Sequence, residues 1–298
     1  MNSSTNSNSA PADAPFLSVE SIVRGARNPI VRNLPRWLTA AVSKFLYEKE
    51  FNAALDLNRD RFGFDWVNGM LEWFNIRVEA DHCENVRDCG RAVFVPNHTI
   101  GGLDGMAVLS VIGKYHRAAK SLSSDFLMAI PNVASFIIPV STSANKTRDF
   151  LGKVEKLYAS DEQVLCFAAG RVSRRTKNGI ADVPWTKGFI AKSVLHGRAV
   201  VPVYIDTLNR PSFYRYQGVR AAVKRFTGLS TERFFILREQ YHQRNAVFRM
   251  NFGKPIPSAV FNERRTADEW AQRVRAHVYR MGLHGDQPFD PEFPLQEN

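Results

Sequence analysis

From residue 76 onward the chain reads as an α/β protein built on a mostly parallel sheet flanked by helices. Two observations predict it. Short apolar runs of strand length alternate with amphipathic stretches of helix length, the signature of successive βαβ units. The runs are apolar enough to be buried on both faces, as parallel strands under helices must be. In order, IRVEA (76–80) and RAVFVPN (91–97) are strands, and GMAVLSVIGKY (105–115) is a helix. FIIPV (136–140) is a strand, TRDFLGKVEKLYA (147–159) a helix, and EQVLCFA (162–168) a strand. KGFIAKSVLH (187–196) is a helix and RAVVPVYI (198–205) another strand. AVFRMNFGKPI (246–256) reads as a strand closed by a turn, and ADEWAQRVRAHVYRMG (267–282) as a terminal helix.

Two amphipathic stretches precede the sheet. Pro35 suits a first helical position, and Trp37, Leu38, Ala41, Val42, Phe45 and Leu46 recur at helical spacing. Trp66, Val67, Met70, Leu71 and Phe74 form a second stripe, with Trp73 beside it. Such stripes fit either packing on a core or lying in the headgroup region of a bilayer. The organisation expected is a polar leader over 1–15, an amphipathic helical region over 16–75, an α/β domain over 76–285 and a tail over 286–298. The leader lacks the basic start and apolar stretch of a secretion signal. No run reaches the about 18 uncharged apolar residues that span a membrane.

A length of 298 residues with 44% hydrophobic content supports a large core. The three cysteines, Cys83, Cys89 and Cys166, form no C-x-x-C pair, which suits free thiols in a reducing compartment. The net charge of +11 is concentrated between Arg171 and Met250, where 16 Lys and Arg stand against 4 Asp and Glu. A segment so basic fits nucleic acid, an anionic bilayer or an acidic carrier protein, as well as a merely solvated face. Nothing resembles a recognition helix or a base-stacking motif, so no nucleic-acid partner is expected.

Two constellations carry chemistry. In NHTIGGLDG (97–105), His98 follows a strand end, the usual place of ligands in open α/β sheets. Gly101-Gly102 lets the loop fold tightly, and Asp104 opens a helix, where a carboxylate is favoured. Asp104 serves equally as a helix cap or as the partner that orients His98, and its two oxygens make the roles compatible. No third ligand lies nearby, so no metal is expected. In CFAAGRVSRR (166–175), Gly170 permits a tight turn, followed by Arg171, Ser173, Arg174 and Arg175. That is either an anion site or an exposed basic loop.

Placed in order, FVPNHTIGGLDG, FAAGRVSRR and KGFIAKSVLHGRAVVPVYI resemble the ordered blocks of the glycerolipid and lysophospholipid acyltransferase superfamily. The variant looks like its hemolysin-like branch, which includes O-acyltransferases of bacterial aminolipids such as ornithine and glycine lipids. FFILREQYHQRNAVFRMNFGKPIP and ADEWAQRVRAHVY are similar to that branch's C-terminal part, so the likeness covers roughly residues 35–281. It implies a glycerol-3-phosphate-acyltransferase-like fold. Against the superfamily's His-x4-Asp motif, five residues (Thr99 to Leu103) stand between His98 and Asp104. Only a loop that absorbs the extra residue keeps the pair in contact. Ala168-Ala169 replaces the usual Pro-Glu of the anion loop, and the arginine-bearing second block reads ASFIIPVSTSANKTR, with Lys146 and Arg148 as its nearest cations. Both changes fall where the site would grip a phosphate.

The resemblance implies acyl transfer from an acyl-carrier-protein or CoA thioester to a lysolipid hydroxyl. His98 is expected as the base and Asp104 as its orienting carboxylate, with Gly101 and Gly102 amides at the oxyanion. Gly170, Arg171, Ser173, Arg174 and Arg175 are expected to bind the acceptor. No cofactor or acyl-enzyme is expected, and Cys166 reads as core. The partners expected are the thioester donor, the lysolipid and an anionic surface at the inner face of the cytoplasmic membrane. The rivals are a thioesterase or lipid-ester hydrolase using the same pair, and a non-enzymatic basic membrane module.

Overall fold

The computed structural model describes residues 17–26, 28–124, 127–128, 130–140, 148–227 and 232–295. The leader at 1–15 and Lys146 lie outside the described residues. Five helices come first: α1 (Val19–Arg24), α2 (Pro29–Arg32), α3 (Arg36–Phe45), α4 (Glu48–Leu57) and α5 (Gly63–Trp73). Then follow β1 (Arg77–Asp81), α6 (Glu84–Arg87), β2 (Ala92–Pro96), α7 (Gly102–Ile112) and β3 (Ala119–Ser124). Next come α8 (Pro131–Ala134), β4 (Ile137–Val140), α9 (Arg148–Ala159) and β5 (Gln163–Cys166). A small antiparallel pair, β6 (Arg174–Thr176) and β7 (Gly179–Ala181), leads to α10 (Gly188–His196) and β8 (Ala199–Asp206). The chain closes with α11 (Pro211–Thr227), α12 (Glu232–Tyr241), β9 (Val247–Phe252) and α13 (Ala267–His284).

Seven strands form one sheet in the order β1-β9-β8-β2-β5-β3-β4. The five strands from β8 to β4 run parallel; β9 pairs antiparallel with β8, and β1 runs parallel to β9. Successive residues of β2 enter opposite cores. Ala92 and Phe94 join a cluster with Trp66, Met70, Leu103 and Val108, whereas Val93 and Val95 join one with Tyr158, Phe189, Trp270 and Val274. A period of two on a strand covered on both faces explains why this stretch is apolar throughout.

The structure adds elements that the sequence reading lacks, β3, α11 and α12 among them. Strand β3, AKSLSS, was unassigned because it lacks an apolar period; the buried Ser121 meets its neighbour Ser123 through their hydroxyls at 2.6 Å. Helices α11 and α12 were also unassigned, and the helix read as starting at Gly105 begins at Gly102. The second apolar stripe is core: Trp66, Val67, Met70, Leu71 and Phe74 are all buried. Helix α3 is different, with Trp37 left 72% exposed.

At the edge where the parallel strands begin, Arg198 is fully buried and forms no ion pair among the described residues. Its guanidinium donates to the carbonyls of Ala92, Leu157, Tyr158, Ser160 and Glu162. It thereby joins the C-terminal end of α9, where carbonyls lack helical partners, to the start of β2. Arg198→Met keeps the apolar stem and removes the donors. It is expected to lower the unfolding free energy by about 3 kcal/mol or more, because several buried carbonyls lose their partners at once. Urea denaturation measures this, and a loss below about 1 kcal/mol would show the cage to be dispensable.

Candidate active site

Strand β2 ends beside β8, and the Asn97 side chain continues the ladder there. Its Oδ1 accepts from Ile205 N–H at 2.7 Å, and its Nδ2 donates to the Ile205 carbonyl at 3.0 Å. His98 follows at the C-terminal edge of the sheet. Its Nδ1 lies 3.0 Å from Asp104 Oδ2, and its ring rests on Phe167 with centroids 4.2 Å apart. The imidazole is 16% exposed and Asp104 is fully buried, and none of the described residues bonds His98 Nε2. The arrangement therefore holds one ring nitrogen and leaves the other without a bond to the described residues.

The extra residue between His98 and Asp104 is absorbed before the helix starts. Gly101 is the N-cap of α7, at φ 127° and ψ −127°, so Asp104 is the third helical residue and not the cap itself. Its carboxylate turns back over its own helix start. Oδ2 accepts from the amides of Thr99 (2.8 Å), Ile100 (2.8 Å) and Gly101 (3.1 Å), and Oδ1 accepts from the Thr99 hydroxyl at 3.2 Å. Thr99 Oγ1 in turn sits 2.7 Å from Thr207 Oγ1. The Gly101 amide, expected at the oxyanion, is committed to Asp104. Gly102 lies against α12, where a Cβ would come within 2.9 Å of Gln240 Oε1.

The second loop sits under His98, and its residues diverge from the expected acceptor site. Gly170 makes its turn at φ +64° and is exposed, as are Arg171 and Arg175. Ser173 is buried and faces the protein: its amide donates to the His98 carbonyl at 2.6 Å, and its hydroxyl donates to Asp182 Oδ1 at 2.6 Å. Its hydroxyl is thus spent on the protein and not on a ligand. Arg174 is held by Glu232 of α12, which also takes Arg220 at 2.7 Å. Burial works against the Arg174 charge and Glu232 offsets it. Arg148 is exposed at the start of α9. Burial pushes the Cys166 thiol up to about 12, so it holds almost no thiolate near neutral pH.

Beside this network lies a cavity of about 500 Å³. Its walls include Asn97, Thr99, Thr207 and Tyr279, with Arg175 and Lys177 at its basic side. Asp182, Thr207 and Tyr279 carry no signal in the sequence pattern, since each is a lone polar residue outside the two glycine-marked loops. Asp182-x-x-Trp185 is the closest thing to one, with Trp185 Nε1 donating to Asp182 Oδ2 at 2.9 Å.

Gly101→Ala would place a Cβ 2.7 Å from Ile236 Cγ2 at a backbone angle that L side chains rarely adopt. Strain and overpacking together are expected to cost about 3 kcal/mol. Thermal unfolding should show that adding Ile236→Ala restores only part of this loss, because the φ angle stays unfavourable; full restoration would mean the clash alone mattered.

A family profile described as "Acyltransferase" matches residues 23–284. The chain is 32% identical over 267 residues to the lyso-glycine lipid O-acyltransferase of Bacteroides thetaiotaomicron, covering 89% of this chain and 97% of that one. It is 30% identical over 267 residues to the lyso-glycine lipid O-acyltransferase of Phocaeicola vulgatus, covering 89% and 95%. Among solved structures it aligns with the 1-acyl-sn-glycerophosphate (LPA) acyltransferase PlsC of Thermotoga maritima at 13% identity and a TM-score of 0.47, over 84% of this chain and 95% of that chain. The match along nearly the whole length, over the loops that carry His98, Asp104 and Ser173, places the chain in the acyltransferase family.

Proposed function

We propose that the protein transfers a fatty acyl group from a thioester to the hydroxyl of a lysolipid, and that its acceptor is a lyso-aminolipid of the glycine-lipid type. The observation that carries the chemistry is the partly exposed imidazole of His98, with Nδ1 held 3.0 Å from a buried carboxylate and Nε2 unbonded among the described residues. The names of the two curated relatives support the acceptor class. With its Nδ1–H donated to Asp104, the imidazole keeps Nε2 free to accept a proton. Nε2 takes the hydroxyl proton as the lysolipid oxygen attacks the thioester carbonyl. The C–O bond forms, the tetrahedral oxyanion collapses, the C–S bond breaks, and the imidazolium returns the proton to the departing thiolate. Asp104 holds the tautomer and balances the transient positive charge. The scheme uses no acyl-enzyme, in keeping with a partly buried Cys166 whose thiol is pushed up to about 12.

The donor is acyl carrier protein or CoA, and the exposed Arg171 and Arg175 are suited to the phosphate that both carry. The cavity lined by Thr99, Thr207, Tyr279 and Lys177, with Asp206 also on its wall, receives the polar head of the acceptor. The lipid is reached from the inner face of the cytoplasmic membrane. No helix among the described residues is long and apolar enough to cross a bilayer. Contact is through the exposed Ile30 (78%) and Phe226 (79%), whose helices are joined where Asn28 Nδ2 donates to the Phe226 carbonyl at 3.0 Å, and through Trp37. Lys224 and Arg225 stand exposed on the same helix as Phe226.

His98→Ala is expected to lower kcat by at least about 100-fold and Asp104→Asn by a similar factor, since the base is lost in one and its tautomer in the other. The assay pairs acyl-carrier-protein and CoA thioesters with lyso-glycine lipid and with lysophosphatidic acid. Wild-type turnover by His98→Ala would sink the base, and free fatty acid as the sole product would make the enzyme a hydrolase. Sedimentation with anionic vesicles should be strong at low salt and fall as salt rises, and Trp37 emission should shift to the blue on binding. Equal pelleting with neutral vesicles, or none at low salt, would remove the anionic membrane from the scheme.

A further inference from the structure

A second carboxylate lies beneath the histidine. Asp182 follows β7, 84 positions after His98, and is 1% exposed. Both of its oxygens lie 3.2 Å from the His98 amide nitrogen. The Ser173 hydroxyl donates to Oδ1 at 2.6 Å, and Trp185 Nε1 donates to Oδ2 at 2.9 Å. Its own main chain is fixed by α13: Asp182 N–H donates to the Tyr279 hydroxyl at 2.7 Å, and Arg275 donates to the Asp182 carbonyl at 2.6 Å. The other face of the His98 unit is closed by the Ser173 amide on the His98 carbonyl. The main chain of the dyad's histidine is thus gripped on both sides by one carboxylate and the serine bonded to it.

We propose that Asp182 is a positioning residue for the acyl transfer, a carboxylate that works ionised and sets the imidazole by holding the His98 main chain. The inference rests on His98 being the base. Three donors converge on this side chain: the His98 amide, the Ser173 hydroxyl and the Trp185 indole. A carboxylate accepts all three, whereas a protonated acid or an amide turns a hydrogen toward one of them, and of the three only the Ser173 hydroxyl can turn away, to the His98 carbonyl 3.0 Å from it. Protonation therefore turns the Ser173 hydroxyl from the carboxylate to the His98 carbonyl and alters the grip on the histidine main chain, and a shift of about 1 Å in a catalytic group is enough to cost about 100-fold in rate. Burial holds the Asp182 carboxyl above the usual carboxylate range, opposed by the Ser173 and Trp185 bonds and by His98. The other ionisable groups around it are Asp104 of α7, Tyr214 of α11, and Arg275 and Tyr279 of α13. Arg275 bonds its main chain and not its carboxylate.

The sign follows from the donors. Removing one that favours the ionised form lets Asp182 take a proton at higher pH, so the acid limb of the activity profile moves up. Trp185→Phe is expected to shift that limb of kcat upward by about half a unit to one unit, with activity near pH 8 within about threefold of wild type. Asp182→Asn is expected to lower kcat by about 10- to 100-fold at every pH, with KM changed less than about twofold. Circular dichroism checks that both variants are folded. A folded Asp182→Asn enzyme with wild-type kcat, or an acid limb unmoved in Trp185→Phe, overturns the proposal. Should Asp182→Asn not fold, the Trp185→Phe limb decides alone. Activity retained by His98→Ala would instead overturn the underlying reading of the base, so the two failures are distinguishable.

Discussion

A fully buried carboxylate has to be satisfied, and in this protein that need shapes the loop around His98. Asp104 Oδ2 gathers three consecutive amides, those of Thr99, Ile100 and Gly101, together with the His98 ring nitrogen. An uncompensated charge at this depth would cost several kcal/mol, so the loop has little freedom but to wrap the oxygen. The glycine at φ 127° is the hinge that lets it do so. The side chain that orients the histidine also builds the turn that presents it, and the start of α7 lends its dipole to both tasks.

The rest of the site serves to keep that turn in place. Helix α12 presses on the glycines through Ile236 and Gln240, Asn209 holds the Thr99 carbonyl at 2.7 Å, and Asn97 extends the sheet ladder one residue past the end of β2. Below, the loop after β5 supplies Ser173 to the His98 main chain. Chain segments distant in sequence thus converge on the turn from Asn97 to Gly102. Asn97 and Ser173 contribute polar side chains that are hydrogen-bonded within the protein, the condition under which polar groups are tolerated in an interior.

Much of this was legible in the residues. The alternation of apolar runs with amphipathic stretches marked β2, β5, β8 and their helices, because strands covered on both faces leave an unmistakable apolar record. His98 and Asp104 were marked by their place at a strand end, and the glycine pair showed that an extra residue was affordable. What escaped had physical reasons. Strand β3 is buried through serines, so its period is invisible to hydrophobicity. Helices α11 and α12 pack through scattered aromatics, Phe213, Tyr214, Tyr216 and Phe235, amid many cations. Ser173 and Arg174 were read as ligand groups because a hydroxyl and a guanidinium beside glycine suit an anion. The fold turned the serine inward and spent the arginine on Glu232, partners that only tertiary contact reveals. Asp182 had no local pattern at all.

The reversal of β9 and β1 separates the molecule's two edges by task. Five parallel strands open toward His98, while β9 and β1 run the other way and deliver their C-terminal ends to the edge caged by Arg198. The segments leaving those two strands, at residues 82–91 with α6 and at 253–257, therefore lie at the end of the sheet opposite His98. Val86 and Ile256 tie these segments to the core, but their exposed charges, among them Glu84, Arg87, Asp88 and Lys254, can change sign without touching the geometry on which the histidine depends.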